Sequence, residues 1–313
     1  MNRIKKEDFS LRNLKKLGLF AITAITAFSM VFPSSVSADA IVGESYVTLG
    51  ANLTEAQRNQ ILQEMSVSDQ SKVIEVTNEE EHQYLGQYMS KATIGTKAIS
   101  SAKITIQDNG KGIAVKTKNI STITEEMYAN AAITAGIKDA DLYITAPFKV
   151  SGTAGLTGII KAFETATGKK IDESQKQVAN EEIVRTSEVA EEIGDPLKAA
   201  QFMNRVKEEV AKEEPKSVEE YRDIIINVSN EFNINLDSDT INQLVTFSQN
   251  FNDLNIDWDQ LSSQFESLRG DLSEALKSPE AQGIIDSILE WFGELFSAIG
   301  DFFTSSSSRS ESN

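Results

Sequence analysis

Acid–base or metal chemistry in this sequence would have to start from one histidine and the glutamates in front of it. Glu79, Glu80 and Glu81 precede His82, the only histidine in 313 residues. Consecutive side chains on a helix point about 100° apart, so these four fan out instead of converging on one ion. A helical zinc site wants histidines at i and i+4. A Ser-His-Asp triad would need a G-x-S-x-G turn to present its serine, and the sequence has none. Cysteine is absent, which excludes a thiol nucleophile, a thiolate metal site and a disulfide framework. The reading therefore assigns no catalytic residue, no metal and no cofactor. It leaves His82 as a packing or polar contact, with ligand contact as the weaker alternative.

A second candidate is the turn Ser151-Gly152-Thr153-Ala154-Gly155-Leu156-Thr157-Gly158. It opens a helix shortly after a strand, where free backbone N–H groups and the helix dipole suit an anion. The spacing G-x-x-G-x-x-G fits neither the dinucleotide fingerprint nor the P-loop, and no Lys-Ser/Thr pair follows. Two readings stand side by side. Gly152, Thr153, Gly155 and Gly158 contact a small ligand, or the glycines let the helix lie close on a sheet. A third stretch, Asp253, Asn255, Asp257 and Asp259, resembles half a calcium loop. Trp258 stands where that loop needs glycine and Gln264 where it needs a bidentate glutamate. With its upstream echo Asn233, Asn235, Asp237 and Asp239, it reads as turns that cap the following helix.

The elements that must position these residues change type midway. Ile41–Leu49 and Lys72–Thr77 read as strands. Between them Thr54 and Gln57 form a capping box, and Asn78 with Glu81 is expected to start the next helix. Ala98–Ile106 and Gly112–Thr117 alternate around Asp108-Asn109-Gly110 and predict a hairpin. Thr124 caps a helix that Gly136 ends. A strand over Asp141–Ala146 follows, with Pro147 as its break and the helix starting at Gly152. Beyond Gly168 the apolar spacing is three and four, and Gly194-Asp195-Pro196, Glu214-Pro215 and Ser278-Pro279 separate the helices. The expected fold is α+β, with a mixed α/β sheet domain over residues 39–167 and an all-helical domain over 168–303.

The two ends speak to location. Residues 1–38 carry Arg3, Lys5, Lys6, Arg12, Lys15 and Lys16, then an apolar run from Leu17 to Phe32, then Val36-Ser37-Ala38 before a cleavage point. That order predicts a cleavable signal peptide. Removing it leaves 24 Lys+Arg against 45 Asp+Glu, a net charge of −21. Such a chain repels phosphate backbones, which argues against nucleic acid as a partner. At the other end, 281–303 reads as an amphipathic helix. Its apolar face includes Trp291, Phe292, Leu295, Phe296, Ile299, Phe302 and Phe303. Asp286, Glu290, Glu294 and Asp301 recur too often for a membrane span. This face is expected to dock on preceding helices, on a partner, on a second copy or on a membrane surface. The tail 304–313 is too polar to bury anything.

Several of these stretches carry a resemblance. They are Val47-Thr48-Leu49-Gly50, Glu80-Glu81-His82-Gln83-Tyr84-Leu85-Gly86, Ile144-Thr145-Ala146-Pro147-Phe148 and Ser151 to Gly158. In order and spacing the chain resembles the YpuA-like family of exported proteins of low-GC Gram-positive bacteria. The likeness is close from about Asp39 to Lys212 and looser beyond. It implies an extracytoplasmic protein associated with the envelope, and it transfers no catalytic residue. The preferred expectation is a non-catalytic protein that binds or supports an envelope protein or wall component. Against it stand a carboxylate-based hydrolase near Glu80, Glu81 and His82, and a small-ligand module at the glycine turn.

Overall fold

The computed structural model describes residues 41–67 and 72–254. The expected signal peptide, the helices expected after 258, the apolar face expected from Trp291 to Phe303 and the expected polar tail lie outside the described residues. The strands are β1 (Ser45–Gly50), β2 (Val73–Val76), β3 (Ser101–Ile106), β4 (Ile113–Ile120) and β5 (Ala140–Val150). They form one mixed sheet in the order β2-β1-β3-β5-β4. β3 runs antiparallel to both its neighbours, while β1 pairs with β2 and β4 with β5 in parallel.

Both faces of this sheet are covered. Helix α1 (Glu55–Glu64) begins at the expected box, in which Thr54 and Gln57 satisfy each other's backbone donors. Its Ile61 and Leu62 pack with Val47 and Leu49 on one face. Glu64 at its end accepts from Tyr143 Oη at 2.7 Å, Thr145 Oγ1 at 2.8 Å and Lys118 Nζ at 2.6 Å, which ties the helix across β4 and β5. On the other face, Ala102, Ile104, Leu142 and Ile144 meet helices α4 (Glu125–Thr134) and α5 (Ala154–Thr167). The period-two alternation of β3 and β5 sorts their residues between these two layers.

Helix α4 is buried at every position from Met127 to Thr134. A helix covered all round sits between layers, and α4 lies between the sheet and the helices that follow. Those are α6 (Glu173–Ile193), α7 (Pro196–Glu213), α8 (Val218–Glu231) and α9 (Ser238–Asn252). One apolar cluster runs from Ala102 of β3 to Phe251 of α9. Two short helices, α2 (Asn78–Leu85) and α3 (Lys91–Ile94), pack beside it. Leu85 and Ile94 join Val184 of α6 in a small cluster of their own.

Three local expectations are corrected. The cap of α2 is Thr77, paired with Glu80, one residue earlier than expected. This shift leaves Asn78 and Glu81 free for another contact. The strand from Ala140 continues through Pro147 to Val150. Proline is tolerated there because the register with β4 shifts between Lys118 and Ile120. Asn119, at φ +61°, covers the irregularity by donating to Ala146 O at 2.7 Å. The expected hairpin is split, since β5 enters between β3 and β4 and pairs with both. The connecting loop is held by Asp139 Oδ1, which accepts from Gly110 N at 3.0 Å and Gly112 N at 2.8 Å. The outer edge of β4 is closed by Glu125, whose carboxylate accepts from Thr117 N at 2.7 Å.

Asp139 itself stands at φ +47°, a conformation that Asn and Asp adopt more readily than other side chains. Asp139→Ala would leave two backbone donors without their acceptor and should cost about 2 kcal/mol in urea unfolding. Asp139→Asn keeps an acceptor oxygen and should lose less than half of that.

Candidate functional site

The glycine turn is where the sheet and the helices meet most closely. Gly152 follows the last strand at φ +101°, and its carbonyl accepts from the Tyr128 hydroxyl at 2.6 Å. A Cβ on Gly155 would lie 2.6 Å from that hydroxyl and 2.9 Å from the ring, and one on Gly152 would also strike Ile120. At Gly158 the obstacle would be Thr48 of β1. Thr153 is buried and makes no side-chain cap bond. The turn therefore contains Tyr128 from α4: Gly158 lies close on the sheet at Thr48, whereas Gly155 makes room for a helix side chain that the sequence reading did not anticipate.

The three glutamates before His82 take separate directions. Glu79 is on the outer side. Glu80 completes the cap of α2 and binds Lys161 Nζ at 2.6 Å. Glu81 points inward, is 1% exposed and accepts from Asn78 Nδ2 at 2.8 Å. Burial pushes its carboxyl up to about 7 despite that bond. The Tyr128 hydroxyl is pushed well above the usual range, by its own burial first and by the Glu81 charge second. His82 is half-buried, and its Nε2 donates to Gly95 O at 3.0 Å. It thus pins the end of α3 to α2.

Sequence reasoning missed an enclosed ion pair. Lys207 of α7 is 0% exposed and Glu182 of α6 is 1% exposed, with Nζ and Oε1 at 2.5 Å. Thr134 of α4 donates to Glu182 Oε2 at 2.5 Å and accepts from Lys207 Nζ at 3.2 Å. The Phe251 ring of α9 lies 5.9 Å from the same ammonium. Burial pulls Lys207 below its ordinary range, and Glu182 opposes that shift. Nearby, Asn130 donates to Ala200 O at 3.2 Å and accepts from Asn204 at 2.8 Å. A signal was present: Lys207 lies on the apolar stripe of Met203, Val206 and Val210, and Glu182 lies on that of Val178, Ala179 and Ile183.

The upstream acidic turn caps the helix that follows it, as expected. Asp237 starts α9 by accepting from Thr240 N at 2.7 Å, and Asn233 takes φ +50° at the preceding turn. Asp253 closes α9, while Asn255, Asp257, Asp259 and Gln264 lie outside the described residues. Among the described residues no group of three His, Asp or Glu is placed to hold a metal ion.

Chemically, burial makes both Glu81 and Tyr128 hold their protons more tightly than usual, the kind of displaced ionisation that catalytic sites use. Both are sealed from solvent, so they hold protons within the protein. Two consequences are measurable. Lys207→Met leaves Glu182 as an uncompensated buried charge and should cost about 3–5 kcal/mol. Adding Glu182→Leu should recover at least half of that loss, as read from paired urea curves. Glu81 is raised in the folded state, so the folded protein binds more protons than the unfolded chain between about pH 4.5 and 7. Stability therefore falls as pH rises through that window. Measured against Glu81→Gln, the parent protein should lose up to about 3 kcal/mol between pH 4 and pH 8. A constant difference between the two proteins would overturn this.

Comparison with known proteins sets the family. No solved structure matches the chain. Residues 49–268 match the family described as "Protein of unknown function (DUF1002)". The chain is 42% identical over 291 residues to "Uncharacterized protein YpuA" of Bacillus subtilis (strain 168), covering 93% of this chain and 100% of that protein. The expected resemblance is thus confirmed, and the chain belongs to this YpuA-like family, whose function is uncharacterised.

Proposed function

We propose that this protein is a non-catalytic component of the cell envelope that binds or supports a protein or wall partner outside the cytoplasmic membrane. The observation that carries the reading is the enclosure of the groups best suited to chemistry. Glu81, Tyr128, Glu182 and Lys207 are all between 0% and 1% exposed, and Tyr128 fills the glycine turn. Glu182 and Lys207 bond each other, Tyr128 bonds the Gly152 carbonyl and Glu81 bonds Asn78, as in a scaffold. The basic and apolar order of residues 1–38 supports export. Exposed Phe148, Val218 and Ile226 offer apolar contact points, and the net charge of −21 left after removal of residues 1–38 argues against nucleic acid as the partner.

The amphipathic stretch 281–303 is the proposed attachment element. The test is co-sedimentation of residues 39–313 with isolated Gram-positive envelopes, beside a version ending at Pro279. The longer protein should pellet and the shorter one should stay in the supernatant. Equal pelleting would move attachment to residues 39–279, and failure of both to pellet would overturn the envelope reading.

A further inference from the structure

We infer that residues 78–95, helices α2 and α3, form a proton-controlled latch that stays closed while Glu81 is neutral and opens locally when Glu81 ionises. The geometry comes first. Glu81 sits in the fourth position of an eight-residue helix with its carboxyl enclosed, and Asn78 Nδ2 is the donor that reaches it. The apolar anchorage of the segment is small, beside the polar ties of Glu80 to Lys161 and Tyr84 to Glu173 and the Arg185 guanidinium over Tyr88. Leu85 and Ile94 meet Val184 in a cluster separate from the main core, with Tyr88 and Met89 partly covering it. His82 closes the segment on itself through Gly95 O, and Gly95 stands at φ +88°. A short element with a small private cluster can open without unfolding the rest.

The polar and charged groups that face the latch from α4, α5 and α6 are already engaged. From α4, the Tyr128 hydroxyl faces Glu81 but donates to Gly152 O. From α5, Lys161 binds Glu80 and Glu75 O, and Glu164 binds Lys176. From α6, Glu173 and Lys176 face Tyr84, while Arg185 and Glu181 face Tyr88. Lys91 of α3 is exposed. The positive end of α2 favours the anion, yet burial outweighs it and raises the carboxyl to about 7. Ionisation therefore places an enclosed negative charge, bonded by Asn78 Nδ2, beneath an element whose apolar anchorage is small, and opening returns that charge to water.

Hydrogen exchange of the protein from pH 5 to pH 8 reads this directly. The reporters are the amides of Gly86, Met89 and Ile94, which bond within the segment. The reference amides are Tyr128 and Ala135 of α4. Beyond the intrinsic pH dependence of exchange, the reporters should speed up by roughly 70-fold over this range, with α4 unchanged. Glu81→Gln should abolish the excess, and Glu79→Gln, on the outer side of the same helix, should keep it. If Glu81→Gln fails to fold, Glu81→Met serves in its place. Absence of the excess, its persistence in the Glu81 variant, or equal acceleration in α4 would each overturn the latch.

Discussion

The contact on which the rest of this structure depends is the enclosed pair of Glu182 and Lys207 with Thr134. Removing two charges from water is costly, and the cost is offset only if every partner is held in place. Here the partners come from α4, α6 and α7, with the Phe251 ring of α9 beside them. These helices therefore cannot slide past one another without separating the charges. An apolar core tolerates small shifts more readily. The pair sets the position of α4, and α4 in turn presents Tyr128 to the end of the sheet.

From Tyr128 the constraint passes to the glycine turn. The ring occupies the space that side chains at 152 and 155 would need, and the hydroxyl fixes the Gly152 carbonyl. Helix α5 is thereby aimed across β1 and β3, where Gly158 allows it to reach Thr48. The charge of Glu81 acts on the same tyrosine hydroxyl. One aromatic residue thus links the helical layer, the sheet and the short helix α2. A phenylalanine in that place would keep the volume and lose the tie to Gly152, so the shape and the polarity of Tyr128 serve different contacts.

Much of the fold was legible because its signals are local. Thr54 with Gln57, Thr124, and Gly194-Asp195-Pro196 each act within one turn of chain, and each appears where expected. The change from strands to helices after the glycine turn was legible for the same reason, since periodicity is local too. What failed were features that depend on distant residues. The loop around Asp108-Asn109-Gly110 has hairpin chemistry, but β5 offers β3 and β4 a better partner than they offer each other. Pro147 breaks most strands, yet a register shift against β4 removes the need for its N–H. The site divides in the same way. The inward turn of Glu81 follows from the cap being Thr77, whereas the pairing of Glu182 with Lys207 joins residues on two helices that sequence spacing alone does not match.

The acidity of the chain acquires a structural meaning from how its cations are used. Arg205 serves Glu208, Glu209 and Glu231, Lys176 serves Glu164 and Glu173, and Arg185 serves Glu181 and Glu188. Each of these basic residues is shared by two or three carboxylates drawn from one or two helices. Loss of a single carboxylate leaves such a cluster with its cation still satisfied. Loss of the cation leaves like charges facing one another at short range, which raises the cost of both burial and proximity. The helices are consequently held by a few basic side chains, and the excess acid lies where it can stay in water. That division allows a strongly anionic surface to coexist with a packed helical core, without any cysteine to staple it.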